Sequence, residues 1–144
     1  MKMTNYDFLY GDGKKSIALE SERIIKVVET TDFPVIENMQ QAVLDAIYHP
    51  IGCAPLSAMV KPGQKIAFIC NDPTRVANSF VFMPILVEEL HKLGIKDEDM
   101  TIVFALGTHR VMSHEEMVEA VSPQVAEKIR MVNSDAKQQA DFAF

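Results

Sequence analysis

The sequence predicts an α/β domain of the Rossmann-like, three-layer kind, with a mainly parallel sheet and a small N-terminal β element. Two apolar, β-rich runs, 65–70 and 101–106, have the composition of strands that are buried on both faces. A helical pattern lies between them, so a right-handed crossover should join them as parallel neighbours. Each run breaks into polar residues, 71–75 and 107–110, and ligands of such sheets bind beyond the carboxyl ends of the strands.

The pattern of the N-terminal third of the chain predicts the small β element. Residues 7–10 and 14–19 have the pattern of a hairpin around the turn at 11–13, where glycines supply positive φ angles. Residues 24–28 are another short β-type run. Residues 1–30 are therefore expected to form either a small sheet of their own or an edge of the main one.

A helix is predicted before the first buried strand. Apolar residues recur at spacings of three and four from Ile36 to Ile47, which marks one helical face. Residues 49–52 should end this helix, because the residue before a proline avoids the helical conformation. Residues 55–60 predict one further helical turn.

The helix between the two buried strands has recognisable ends. Either Asn78 or Ser79 is expected to cap its start, since their side-chain oxygens accept a hydrogen bond from a free amide. The amphipathic pattern from Phe82 to Leu93 defines its length, and Gly94 suits the left-handed position that follows a helix.

Two helices and a third strand are predicted after the second buried strand. Ser113 and Glu116 fit a capping box for a helix that runs to about Val121. Pro123 suits the first position of another helix, and residues 129–132 are a candidate third parallel strand. Residues 136–144 show no clear helix end or strand partner.

Length and composition fit one soluble domain spanning residues 1–144, with 48% apolar and 24% charged residues. The net charge of −6 argues against nucleic-acid binding. No apolar run reaches the roughly 18 residues of a membrane span, and the N-terminus lacks the apolar core of a signal peptide. Cys53 and Cys70 have no metal or redox spacing, so we predict a cytoplasmic protein without membrane contact.

Polar side chains follow both buried strands, at the edge of the sheet where ligands bind. Asp72 and Arg75 follow the first strand, and His109 and Arg110 follow the second. Arginine binds a carboxylate or a phosphate through two parallel hydrogen bonds. Histidine exchanges protons near neutral pH. A carboxylate, two guanidiniums and an imidazole at one edge predict a site for a small anionic ligand.

Structural interpretations of the same residues remain open. Asp72 and Arg75 can form a local pair that closes a proline-containing turn. The Asp-x-Thr order of Asp72 and Thr74 also occurs in phosphotransfer enzymes with an aspartate nucleophile, but Cys70 stands where that pattern has an acidic residue. A magnesium-dependent phosphate-handling enzyme is therefore the weakest alternative.

The second loop has structural alternatives as well. His109 can be a histidine that is hydrogen-bonded within its loop, and Arg110 can pair with Glu115 or Glu116. The functional interpretation of this loop is that Gly107 and its neighbours bind an anion through backbone amides near the following helix. None of the four histidines has the spacing of a metal motif, so no metal ligand is predicted.

Five short motifs run along the chain, at residues 49–56, 72–75, 84–86, 93–95 and 105–113, the last with Glu116. Together they resemble the N-terminal domain of the lactate racemase family, over roughly residues 36–135. Neither the Asp-x-Thr-Arg element nor the Gly-Thr-His-Arg element would be specific alone, but both at this separation are.

The resemblance implies two α/β domains with the active site between them, and a nickel pincer nucleotide as cofactor. The implied reaction inverts the hydroxyl-bearing carbon of a small 2-hydroxy acid by hydride transfer to the cofactor, with histidine as acid and base. On this sequence, His109 matches a catalytic histidine. Arg75 and Arg110 are expected to bind the substrate, and Asp72 and Thr74 to line the cofactor side.

The chain also departs from the family pattern. The second catalytic histidine, the cofactor-bound lysine and the nickel-binding histidine of the family would lie beyond residue 144, and Ser134 stands where relatives often carry a histidine. We therefore expect the N-terminal part of a longer enzyme, inactive alone, with its own C-terminal domain as partner and a tendency to self-associate. The alternative is a non-catalytic α/β module that binds a small acid.

Overall fold

The computed structural model describes residues 2–75 and 77–137 of the chain. The chain divides into two compact units, residues 1–35 and residues 36–144. Most of the terminal segment that the sequence left without a clear element, residues 138–144, lies outside the described residues.

The N-terminal unit is built on an antiparallel hairpin of β1, Met3–Tyr10, and β2, Gly13–Glu20. Gly11, with a φ of +57°, supplies the positive φ that the tight turn requires. The two strands form a sheet of their own, which decides between the two alternatives left open by the sequence. The predicted hairpin is confirmed and is longer than predicted.

The prediction of a further strand at residues 24–28 is wrong. These residues follow a short 3₁₀ turn, Ser21–Arg23, and belong to none of the described strands. Apolar β-type composition is not sufficient for a strand, because a strand persists only where a neighbour takes up its backbone hydrogen bonds.

The second unit contains a parallel sheet of three strands in the order β3, Ile66–Asn71, then β4, Met100–Ala105, then β5, Arg130–Asn133. Both strand pairs are parallel, as predicted. The register brings the ends of all three strands to one edge of the sheet.

Helices cover one face of this sheet. The two crossovers run in the same direction across the sheet, so two right-handed connections place their helices on the same face. An apolar core lies between the helices and the strands, with Phe104, Met83 and Leu90 among its most deeply buried side chains. The helices are α1, Met39–Tyr48; α2, Leu56–Met59; α3, Ser79–Lys92; α4, His114–Val121; and α5, Pro123–Ala126.

Strand β3 departs from the prediction of burial on both faces. Phe68 and Cys70 point into the core, whereas Ile69 between them is 68% exposed. The cause is the one-sided helical layer, which leaves the other face of this edge strand open. In the central strand β4, Ile102 and Phe104 are completely buried and Val103 is half-buried.

Helix α1 begins later than its apolar pattern. The pattern starts at Ile36, but the helix begins at Met39, because Asn38 accepts a hydrogen bond from the Gln41 backbone amide at 2.9 Å and caps it. The capping box of α4 is confirmed: the Ser113 and Glu116 side chains each bond the other's backbone amide.

The predicted side-chain cap of α3 is wrong. Asn78 is the residue before the helix, but it is left-handed, with φ 52° and ψ 34°, and its side chain makes no capping hydrogen bond. A capping side chain reaches the first amides from an extended backbone, which this residue lacks. Its carbonyl instead accepts from the Val81 amide at 2.9 Å. Gly94, with a φ of +83°, follows the helix as predicted.

The longest helix that the structure describes, α3, has 14 residues. None of the described helices has the length and apolar character that crossing a bilayer would require.

Candidate functional site

Two loops at the carboxyl edge of the sheet carry the predicted site residues. The β3 loop is defined here as residues 72–75, and the β4 loop as residues 106–112. The loops approach each other, with His109 Nδ1 lying 3.9 Å from Asp72 Oδ1. The structure therefore brings together the carboxylate and the imidazole that the sequence placed at one edge.

The β3 loop is a tight turn organised by Asp72. Its Oδ1 accepts hydrogen bonds from the Thr74 hydroxyl and from the Thr74 backbone amide, and its carbonyl accepts from the Arg75 amide at 3.2 Å. The Thr74 hydrogen bonds, with smaller contributions from the charges of His109 and Arg75, hold the pKa of Asp72 below its ordinary value. Asp72 is therefore a carboxylate at neutral pH.

Arg75 has its guanidinium available. Its side chain is exposed, and no carboxylate among residues 2–75 and 77–137 forms an ion pair with it. The structural alternative, an Asp72–Arg75 side-chain pair that closes the turn, is not what the structure has. Thr74 bonds Asp72 in its place, and the anion-binding role of Arg75 stays a prediction.

A cavity of about 380 Å³ lies at this edge, and we call it the crevice. Its wall includes Asp72 and Arg75 from the β3 loop, the first residues of α3, and Glu116 from α4. His109 is not part of the crevice wall, but its Nδ1 lies 3.9 Å from Oδ1 of Asp72, which is. A small anion in the crevice would have Arg75 at its side and His109 at its border.

Arg110, unlike Arg75, is paired with a carboxylate. Its two terminal nitrogens donate to the two carboxylate oxygens of Glu116 at 2.8 and 2.6 Å, and one also donates to the Val111 carbonyl at 3.1 Å. Of the two glutamates that the sequence left open, Glu116 is the partner. The substrate-binding role of Arg110 stays a prediction, and it would require Arg110 to leave this pair.

Glu116 joins the cap of α4 to the β4 loop. Besides Arg110, it accepts a hydrogen bond from the Ser113 amide at 2.8 Å. The Arg110 guanidinium, followed by this amide, lowers the pKa of Glu116 to about 2. The sequence indicated Glu116 as a cap residue and as one of two possible partners of Arg110, but not as part of the crevice wall.

We expect the Arg110–Glu116 pair to stabilise the fold at neutral pH and to fail in strong acid. The folded pKa of about 2 lies below the ordinary 4.5, so the contribution is complete above pH 4.5 and disappears as pH falls through about 2. Urea unfolding of the wild type and of Glu116→Gln from neutral pH to about pH 2 tests this. The two free energies of unfolding should converge on acidification, and a constant gap would contradict the assignment.

The described part of the chain offers no cluster of three His, Cys, Asp or Glu side chains that could hold a metal ion. A metal bound at the crevice would need ligands from outside the described residues.

Comparison with known proteins gives one consistent family. The family model "Lactate racemase N-terminal domain" matches residues 10–144. The lactate racemase of Thermoanaerobacterium thermosaccharolyticum is 27% identical over 137 residues, which cover 94% of this chain and 32% of that protein. The lactate racemase of Lactiplantibacillus plantarum is 29% identical over 93 residues, which cover 65% of this chain and 22% of that protein.

The fold agrees with this family. The structure of the lactate racemase apoprotein from Thermoanaerobacterium thermosaccharolyticum matches with a TM-score of 0.77 at 24% identity, over 96% of this chain and 31% of that one. The aligned part is thus about a third of the length of that relative. Because the family model covers nearly the whole sequence, the chain belongs to the lactate racemase N-terminal domain family.

Proposed function

We propose that this chain is the N-terminal catalytic half-domain of a 2-hydroxy acid racemase or epimerase of the lactate racemase type. It would act together with a C-terminal domain, for which the Thermoanaerobacterium thermosaccharolyticum relative, about three times as long as the matched part, has enough residues. Alone it would be inactive. The observation that carries the proposal is that the Arg75 guanidinium, which has no ion-pair partner among the described residues, lies at the same edge of the sheet as Asp72 and His109, which are 3.9 Å apart.

The roles follow from the chemistry of each side chain. The planar guanidinium of Arg75 suits a planar carboxylate, which it binds through two parallel hydrogen bonds. His109 faces Asp72 with Nδ1, and its Nε2 makes no hydrogen bond within the described residues. That nitrogen is the one that would take the hydroxyl proton of the substrate and later return it. Arg110 would assist with the substrate only after release from Glu116.

A nickel pincer nucleotide would supply the hydride acceptor for the hydroxyl-bearing carbon. The residues fit the polar parts of such a group: Asp72 Oδ2 accepts no hydrogen bond from the described residues, and Thr74 stands next to it. They do not fit its metal, since the described part lacks a three-ligand cluster. We therefore propose that Asp72 and Thr74 contact the nucleotide and that nickel is held from elsewhere.

Arg75→Ala is expected to raise KM for the 2-hydroxy acid in the complete, cofactor-loaded protein. Loss of a charged hydrogen bond, worth about 1.5–3 kcal/mol, corresponds to a fall in kcat/KM of roughly 10- to 150-fold. Arg75→Lys should recover part of it. Steady-state kinetics with both enantiomers measure these values.

The matched control is Arg130→Ala. Arg130 is also exposed, but it stands at the start of β5, at the opposite edge of the sheet. Its replacement should leave KM within twofold or so, within the range of ordinary surface substitutions. Equal losses from both variants, or no loss from Arg75→Ala, would remove Arg75 from the site.

A non-catalytic module that binds a small acid is the second candidate, because Arg75 in the crevice wall, without an ion-pair partner in the described part of the chain, could bind a carboxylate without any reaction. Calorimetric binding of a 2-hydroxy acid by a complete, cofactor-loaded protein that inverts none of several such acids would favour it. The phosphate-handling alternative has less support, because the described residues give Asp72 no carboxylate cluster for magnesium.

A further inference from the structure

The β4 loop, which carries His109, is held at both of its ends by two adjacent residues of the β5 region. At its start, the Leu106 amide donates to Ser134 Oγ at 3.0 Å, and the Ser134 amide donates to the Phe104 carbonyl at 3.0 Å. At its end, Asn133 contacts Met112. His109 is the middle residue, three positions from each anchor.

The Asn133 side chain bonds both backbone groups of Met112, as a residue of a neighbouring strand would. Its Nδ2 donates to the Met112 carbonyl at 2.9 Å, and its Oδ1 accepts from the Met112 amide at 3.3 Å. One primary amide thus satisfies a donor and an acceptor of the same residue, which aspartate, leucine and alanine cannot do. Met112 is buried, so these backbone groups have little access to water as a substitute.

His109 depends on this anchoring, because its ring makes no hydrogen bond within the described residues. The imidazole is 48% exposed, and its one polar neighbour among the described residues, Asp72, is beyond hydrogen-bond distance at 3.9 Å. The backbone of the loop therefore decides where the imidazole lies. A catalytic base must be within about 2.6–3.2 Å of the proton that it takes. A misplacement of about 1 Å can cost on the order of 10²-fold in rate.

We propose that Asn133 is a positioning residue that holds His109 in place through Met112. The expected fall in kcat rests on the proposed function. The expected displacement of the β4 loop does not. Asn133 belongs to β5, touches neither the β3 loop nor Arg75 in any described hydrogen bond, and would act on the reaction through the β4 loop alone.

The test uses Asn133→Asp, which keeps the size and removes the donor, and Asn133→Leu, which removes both hydrogen bonds. In the complete, cofactor-loaded protein kcat should fall roughly 10- to 100-fold in Asn133→Leu and less in Asn133→Asp. KM should change little, because Arg75 is untouched. Asn5→Asp, an exposed asparagine of β1, is the control and should keep both constants.

The second readout is independent of activity. In the complete protein without cofactor, histidine side chains labelled with ¹³C at Cε1 give one NMR signal for each of the four histidines of this chain. The His109 signal should shift or broaden in both variants, while the signals of His49, His91 and His114 stay. Unchanged kcat together with an unchanged His109 signal in either folded variant would overturn the proposal.

The possible results distinguish a failure of the positioning role of Asn133 from a failure of the proposed function. If Asn133→Leu changes all four signals, the fold is lost and the isosteric Asn133→Asp variant decides. If the wild type inverts no 2-hydroxy acid, the proposed function fails, and the His109 signal alone still tells whether Asn133 positions the loop.

Discussion

Replacing His109 by alanine should lower kcat of the complete, cofactor-loaded protein by about 10²- to 10⁴-fold, the range expected for loss of a positioned acid–base group. The free energy of unfolding should change little, since the imidazole is half exposed and makes no hydrogen bond in the described part of the chain. KM should stay within a few-fold, because Arg75 still holds the carboxylate. Steady-state kinetics and urea unfolding of the same preparation measure both quantities.

His91→Ala is the matched control. This histidine lies in α3, bonded to Asp97 at 2.7 Å and outside the crevice wall. Its removal should leave kcat unchanged. Comparable turnover in His109→Ala and His91→Ala would take the proton-transfer role away from His109 and favour the binding-module alternative.

Replacing Phe104 by alanine should destabilise the domain by about 3–5 kcal/mol, a large share of the roughly 5–15 kcal/mol that holds a domain of this kind together. Phe104 is completely buried in the central strand β4. It also contributes to the crevice wall, so the cavity left by the ring would open beside the site. Denaturant unfolding measures the change in free energy.

The control for this prediction is Phe33→Ala, at a phenylalanine that is 84% exposed. It removes the same atoms with little burial, so the expected change is within about 0.5 kcal/mol. Similar losses for the two variants would mean that the core does not centre on β4. A Phe104→Leu variant should recover most of the stability, since it restores much of the buried volume.

The parallel sheet was predictable because its evidence is local. Two apolar runs with a helical pattern between them allow few arrangements, and the abrupt change to polar residues after each run marks the strand ends. The capping box of α4 was equally local, since Ser113 and Glu116 are three residues apart. Because Asp72 and His109 each follow one of these strands, the sequence was sufficient to predict that they lie at the same edge of the sheet.

The open face of β3 was not predictable from the strand itself. Ile69 is as apolar as its neighbour Phe68, and composition cannot tell which of them a helix covers. The answer depends on the direction of both crossovers, which requires knowing that β5 lies on the far side of β4. Asn78 is a similar case: its type suits a cap, but its left-handed backbone turns the side chain away.

Side-chain partners within the site required the tertiary structure. Arg110 had two glutamates within reach, and the geometry of the first turn of α4 selects Glu116, whose side chain folds back over the cap. Thr74, two residues from Asp72, took the contact that charge alone would give to Arg75. Asn133 was missed because it lies 21 residues from Met112 in the sequence, and the two meet only in the folded chain.

The central claim is that Arg75 and His109, from separate loops, serve one small carboxylate at the edge of the sheet. A crystal structure of the complete, cofactor-loaded protein with oxamate, an analogue of a 2-keto acid, tests it most directly. We predict the oxamate carboxylate about 2.7–3.2 Å from the Arg75 guanidinium and its carbonyl oxygen about 2.6–3.2 Å from His109 Nε2. Oxamate bound in the active site with neither side chain in contact would contradict the account.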